Sequence, residues 1–150
     1  LNPLTNILSC NGTKEAIFMI PILFNWEKNK KIFFPSLSYP VYQASAGLLN
    51  IPTKELPLTE ENQFLPNLDD ITEKEWKECG LFWINSPHNP TTAIANETYL
   101  KRLLNIAKKY NFLVCSDECY NDLYYNQKPA SCLEFSESEH WLVFRSLSKR

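Results

Sequence analysis

The sequence predicts an α/β fold, a three-layer α/β/α arrangement around a mainly parallel sheet. Three observations carry this. Continuous apolar runs recur at Leu81-Phe82-Trp83-Ile84, Phe112-Leu113-Val114-Cys115 and Trp141-Leu142-Val143-Phe144, as strands buried on both faces read. Amphipathic segments separate them, so helices can cover both faces of the sheet. Each run is followed directly by a polar cluster, and open α/β sheets bind ligands beyond the carboxyl ends of their strands.

The elements follow in order. Asn11-Gly12-Thr13 leads into a helix over Lys14 to Trp26, with Thr13 as N-cap. Pro21 should kink or interrupt that helix. Lys31 to Phe34 reads as a short strand closed by Pro35, and Tyr39 to Leu49 as a helix. Ile51 to Leu58 reads as a strand that Pro52 and Pro57 keep at an edge. A short polar helix is expected over Asp69 to Cys79, then the buried strand Gly80 to Asn85. Asn96 caps a helix over Glu97 to Tyr110, in which Leu100, Leu103, Leu104 and Ala107 share one face. The glycines at 12, 47 and 80 are expected to have local backbone jobs.

Composition narrows the function classes. The chain has 150 residues, 44% apolar and 21% charged, so a packed domain is expected and disorder is not. A net charge of -2 gives no electrostatic case for nucleic acid or an anionic membrane. The longest apolar stretch, Ala16 to Phe24, contains Pro21 and falls short of the ~20 residues that span a bilayer. The five cysteines, at 10, 79, 115, 119 and 132, form no C-x-x-C pair, and Cys115 and Cys119, which have helical spacing, have no histidine near them in sequence. That spacing argues against zinc and reads as reduced thiols in a cytoplasmic protein. Leu1 is not a methionine and the chain stops one residue after Lys149, so a fragment of a longer polypeptide is expected.

The polar clusters carry the chemistry. Ser146-Leu147-Ser148-Lys149-Arg150 offers an amine beside hydroxyls. Ser116-Asp117-Glu118-Cys119-Tyr120 offers acids and a phenol, and Asn85-Ser86-Pro87-His88-Asn89-Pro90-Thr91 an amide. A lysine, an acid, an asparagine and a tyrosine suit pyridoxal 5'-phosphate (PLP). That cofactor takes an amine as a Schiff base, an anion on its ring nitrogen and donors on its phenolic oxygen. Lys149 is the candidate amine, with Ser146 and Ser148 free to donate to the phosphate. Asp117 is the candidate partner of the ring nitrogen; Glu118 is the alternative acid and should point elsewhere. Asn89 and Tyr120 are candidates for the phenolic oxygen.

Gly12, Thr13 and Lys14 form a candidate phosphate cradle at a helix start, although Asn-Gly also reads as a hairpin turn. It is not a P-loop, because the glycine spacing and the Gly-Lys-Ser/Thr are missing. Tyr39 is the candidate aromatic stacked on the ring; Tyr39 and Tyr42 also read as core or helix-start residues. His88 and His140 carry no catalytic pattern and are expected to be structural or exposed. Pro90 could be cis or trans on sequence alone.

Taken together, these motifs resemble the class I/II aminotransferases, the fold-type I PLP-dependent enzymes. The likeness runs from Asn11 to Arg150, and its specific part is the order of the motifs. A glycine-containing helix start is followed by Tyr-Pro-x-Tyr, Asn-Pro-Thr, Asp-x-x-Tyr and Ser-x-Ser-Lys. The resemblance implies that Gly12, Thr13, Lys14 and Ser146 bind phosphate and that Tyr39 stacks on the ring. It implies that Asn89 and Tyr120 meet the phenolic oxygen, Asp117 the ring nitrogen, and that Lys149 forms the Schiff base and shuttles the proton. Thr92 departs from the family, which usually has glycine there; turn geometry should be disturbed more than chemistry.

The resemblance also implies amino acid and 2-oxo acid substrates and a homodimer. It makes residues 1–150 a partial large PLP-binding domain, without the amino-terminal segment and the carboxyl-terminal small domain. The family's phosphate-binding arginine beyond the lysine and its substrate-carboxylate arginine are not in this sequence. The local flavour is that of enzymes acting on aspartate, aromatic amino acids or N-succinyl-diaminopimelate. The same residues would serve a carbon-sulfur lyase. A non-catalytic aminotransferase-like module and an inactive fragment remain as alternatives.

Overall fold

The computed structural model describes residues 1–135 and 139–149; Arg150, the end of the last motif, lies outside the described residues. Five parallel strands form one sheet: β1 (Lys31–Pro35), β2 (Thr53–Leu56), β3 (Cys79–Asn85), β4 (Leu113–Asp117) and β5 (Trp141–Phe144), in the order β2-β1-β3-β4-β5. The chain leaves β1 to one side for β2 and then returns to the other side for β3. That reversal is a topological switch point, where such sheets open a crevice.

Period-two alternation divides the side chains of β3 between two cores. Phe82 and Ile84 face α3 (Glu73–Glu78) and α4 (Glu97–Tyr110), packing with Trp76, Leu100, Leu103 and Phe112. Leu81 and Trp83 face α1 (Thr13–Met19) and α2 (Val41–Leu48), packing with Ile17, Tyr42 and Ala46. Each such side chain contributes roughly 1.5–3 kcal/mol by leaving water. This is the three-layer arrangement expected from the continuous apolar runs.

Capping explains the helix starts. Asn96 accepts a hydrogen bond from the Tyr99 amide at 2.9 Å and starts α4. Thr72 and Glu75 form a reciprocal capping box at α3. Asn111, at φ 54°, ends α4 in the left-handed conformation. The first helix is shorter than the pattern predicts. Gly12, not Thr13, holds the N-cap position at φ 96°, and α1 ends at Met19. A 3-10 turn over Ile20–Leu23 follows, because Pro21 brings no amide to continue the α-helical ladder.

The polar helix expected over 69–79 divides into a 3-10 turn at Leu68–Asp70 and α3. The edge strand β2 is trimmed to the residues between its flanking prolines. Gly80 has a packing reason: a Cβ there would meet Trp26 Cζ3 at 2.9 Å. Gly47 lies within α2 with no such demand on it.

Candidate cofactor site

The carboxyl edge of the sheet assembles the site. Asn85 of β3 stands opposite Asp117 of β4, which stands opposite Phe144 of β5. The four loops that leave β1, β3, β4 and β5 therefore start from one edge. They enclose, with the start of α1, a cavity of about 240 Å³. Thr13, Lys14 and Ile17 line it from α1, and Tyr39 from the loop after β1. Asn85 and Asn89 come from the end of β3 and beyond, Asp117, Cys119 and Tyr120 from β4 and its loop. Ser146, Ser148 and Lys149 close the ring after β5. All candidate residues but Gly12 line this one cavity; Gly12 precedes it as the N-cap of α1.

Local hydrogen bonds hold these side chains in place. The Asn85 side-chain amide donates to the Asp117 carbonyl at 2.8 Å, and the Asn89 backbone N–H donates to Asn85 Oδ1 at 2.7 Å. Asn85 thus links the ends of two strands to the loop that carries Asn89. The Asn89 side chain donates to the Tyr120 hydroxyl at 3.5 Å, so the two proposed phenolate donors are neighbours. Ser146 and Ser148 hydroxyls lie 2.7 Å apart, and the Ser148 amide donates to Ser146 Oγ at 3.1 Å. That turn presents Lys149, which is exposed, at the cavity rim.

Asp117 is 6% exposed and held by two donors. Tyr42 Oη donates to its Oδ2 at 2.8 Å and the Cys119 amide to its Oδ1 at 3.2 Å. Burial first, and the Asp117 charge second, raise the Tyr42 phenol well above its ordinary pKa. The same two causes push the Cys119 thiol up to about 12, so it stays a neutral thiol. Its Sγ donates to Thr13 Oγ1 at 3.2 Å and ties α1 to the end of β4.

Glu118 points away from this cavity. Its carboxylate accepts from Ser131 Oγ at 2.7 Å, the Cys132 amide at 2.8 Å and Ser116 Oγ at 3.2 Å, and pairs with Arg145 at 2.8 Å. Both histidines are structural. His88 is buried between Thr91 Oγ1 at 2.7 Å and the Leu37 carbonyl at 2.8 Å. His140 Nδ1 lies 3.0 Å from the Phe112 carbonyl. The Asn89-Pro90 bond is cis, as is Ser86-Pro87, and Thr92 sits at φ 62°.

A larger groove of about 610 Å³ opens beyond Asn89 and Tyr120, along Thr92, Ile94, Tyr124 and Tyr125. Asn89 and Tyr120 line both, but Asp117 and Lys149 line only the smaller cavity of the two. Sequence reasoning missed three residues that line the smaller site, Ile17, Asn85 and Cys119, and Tyr42 behind it. Tyr42 had a signal: it lies one helical turn beyond Tyr39, at the start of a helix that must turn a face to the sheet.

The donor set suits PLP. Hydroxyls of Thr13, Ser146 and Ser148 and the Lys14 amine fit an anion, Asp117 fits a protonated ring nitrogen, and Lys149 supplies the amine for an aldehyde. A parallel sheet with these groups at its carboxyl edge defines a PLP-dependent transferase large domain. The comparisons name the family. The model of the class I and II aminotransferases matches residues 1–150, and the chain belongs to that family, whose members are PLP-dependent.

The chain is 36% identical over 152 aligned positions to the LL-diaminopimelate aminotransferase of Maridesulfovibrio salexigens, covering 99% of this chain and 39% of that protein. It therefore spans about two-fifths of the length of that relative. Among solved structures, the aminotransferase AspB of Helicobacter pylori superposes with a TM-score of 0.84 at 36% identity, over 92% of this chain and 38% of its own. Substrate-bound BacF of Bacillus subtilis superposes with a TM-score of 0.91 at 27% identity, over 99% of this chain and 38% of its own. Among the described residues, no helix is long and apolar enough to cross a membrane.

Proposed function

We propose that these residues form the greater part of the large domain of a PLP-dependent aminotransferase, which moves an amino group from an amino acid to a 2-oxo acid. The observation that carries this reading is the convergence of Lys149, Asp117, Asn89 and Tyr120 on one cavity from three separate loops. PLP, when bound, supplies an electron sink that stabilises negative charge at the substrate carbon. The residues of this chain do the rest. Lys149 is the covalent anchor and carries the proton to and from the reacting carbon. Asp117 keeps the ring nitrogen protonated. Asn89 and Tyr120 donate to the phenolic oxygen, and Tyr39 covers the ring face. The Gly12 backbone, Thr13, Lys14, Ser146 and Ser148 hold the phosphate.

The relatives' names favour a diaminopimelate-type substrate over an aromatic one, with aspartate-type donors next. The complete protein is read as a cytoplasmic homodimer. Exposed apolar side chains on α1, the turn after it and α2 (Met19, Leu23 and Leu48) support burial against further chain. Product analysis of the complete protein tests the reaction. Offered an amino acid and a 2-oxo acid, it should form the new amino acid, and Lys149→Ala should abolish this. Release of pyruvate and a thiol from a cysteine-type substrate, with no new amino acid, would make it a carbon-sulfur lyase.

A further inference from the structure

We propose that Tyr42 is a positioning residue that holds the Asp117 carboxylate in the orientation its cofactor role needs. This rests on the functional reading above and adds a residue to it. Tyr42 does not line the cavity. It is fully buried on α2, and its ring lies flat on Trp83, with centroids 4.6 Å apart and planes 9° apart. Trp83 in turn packs against Phe144, centroids 5.5 Å apart. The phenol is therefore fixed by packing before it meets any carboxylate.

From that fixed place Tyr42 Oη donates to Asp117 Oδ2 at 2.8 Å, while the Cys119 amide donates to Oδ1 at 3.2 Å. One donor on each oxygen sets the plane of the carboxylate. Each oxygen keeps a lone pair for a donor arriving from the cavity. A core position would accept phenylalanine, and burying a hydroxyl is costly unless it is bonded. The raised phenol pKa keeps Tyr42 a neutral donor rather than a second anion beside Asp117. The Cys115 and Cys119 thiols, which also face this phenol, are held neutral by burial.

The test uses the complete protein loaded with PLP, in wild type, Tyr42→Phe, Asp117→Asn and the double variant. Tyr42→Phe keeps the stacked ring and removes only the donor. Losing a hydrogen bond to a charged group should lower kcat about tenfold and leave KM for the amino donor within about twofold. The PLP dissociation constant of the apoprotein should rise about threefold. In the Asp117→Asn background the same substitution should change either quantity by less than about twofold, because the two residues act as one unit. Equal effects in both backgrounds would mark Tyr42 as core packing and overturn the proposal. No effect in wild type would overturn it too.

Should Tyr42→Phe fail to fold, 3-fluorotyrosine at position 42 keeps ring and hydroxyl but sharpens the donor. It should shift the PLP dissociation constant by about twofold or more, and an unchanged constant would overturn the proposal. A wild-type protein that takes up no PLP would overturn the functional reading and this inference together. A wild type that binds PLP while the Tyr42 effects add independently would overturn this inference alone.

Discussion

Two adjacent carboxylates leave the end of β4 in opposite directions. Asp117 turns toward the α1/α2 side, meets the Tyr42 phenol and keeps a face open to the cavity. Glu118 turns toward the α3/α4 side and spends its acceptors on Ser116, Ser131, Cys132 and Arg145. Both are buried. The difference lies in what remains unsatisfied. Glu118 is saturated by this chain's own donors, so it fastens the loops together. Asp117 is held but not saturated, so it can accept a further hydrogen bond from a ligand in the cavity. Period-two alternation at a strand end thus turns one acid into the packed loops and leaves its neighbour facing the cavity.

Glu118→Ala should break this comparison on the structural side, with the largest effect. It leaves the Ser131 hydroxyl and the Cys132 amide without their acceptor and takes from Arg145 the nearer of its two carboxylates, which should destabilise the protein by about 3 kcal/mol in a denaturant titration. Asp117→Ala should do the reverse: a smaller loss of stability, from the buried Tyr42 hydroxyl left without its acceptor, and kcat of the complete protein lower by about 100-fold with KM nearly unchanged. If both variants lost stability equally and activity in proportion, the division of labour would be wrong.

Thr92→Gly probes the backbone beneath the Asn89 loop. Thr92 is β-branched at φ 62°, which strains it, so glycine should stabilise by roughly 1 kcal/mol despite its greater freedom when unfolded. The smallest effect concerns His88, whose pKa burial holds below the ordinary 6.5. The unfolded chain then takes up the proton more readily than the folded one. Stability from this group is complete above about pH 6.5 and is lost as pH falls toward the lowered value. His88→Gln should flatten that part of the stability profile.

Much of this was legible in the sequence. The apolar runs marked β3 and β4 because strands buried on both faces need no alternation, and β5 carries the same kind of run although most of it is only partly buried. The polar clusters behind them marked the site because parallel strands end on one edge. Residues 14–26 were less legible, since the apolar pattern continues through Pro21 while the backbone does not. Thr13 looked like a cap, yet its hydroxyl accepts from Cys119, a residue far away in sequence. The position of Tyr42 on a sheet-facing helix was legible, but the use of its hydroxyl was not, for the same reason. Its partner Asp117 lies 75 residues away, and nothing local to Tyr42 marks its hydroxyl as used. Glu118 was expected to diverge from Asp117, but Arg145 and Ser131 could not be named as its partners, because those contacts exist only after β5 docks.

The central claim is that Lys149 anchors PLP in the cavity at the sheet edge. The most direct measurement is to load the complete protein with PLP, reduce it with borohydride and map the pyridoxyl-bearing peptide by mass spectrometry. Label on Lys149 alone is the predicted result. Label on other lysines, or scattered over the surface, would contradict it.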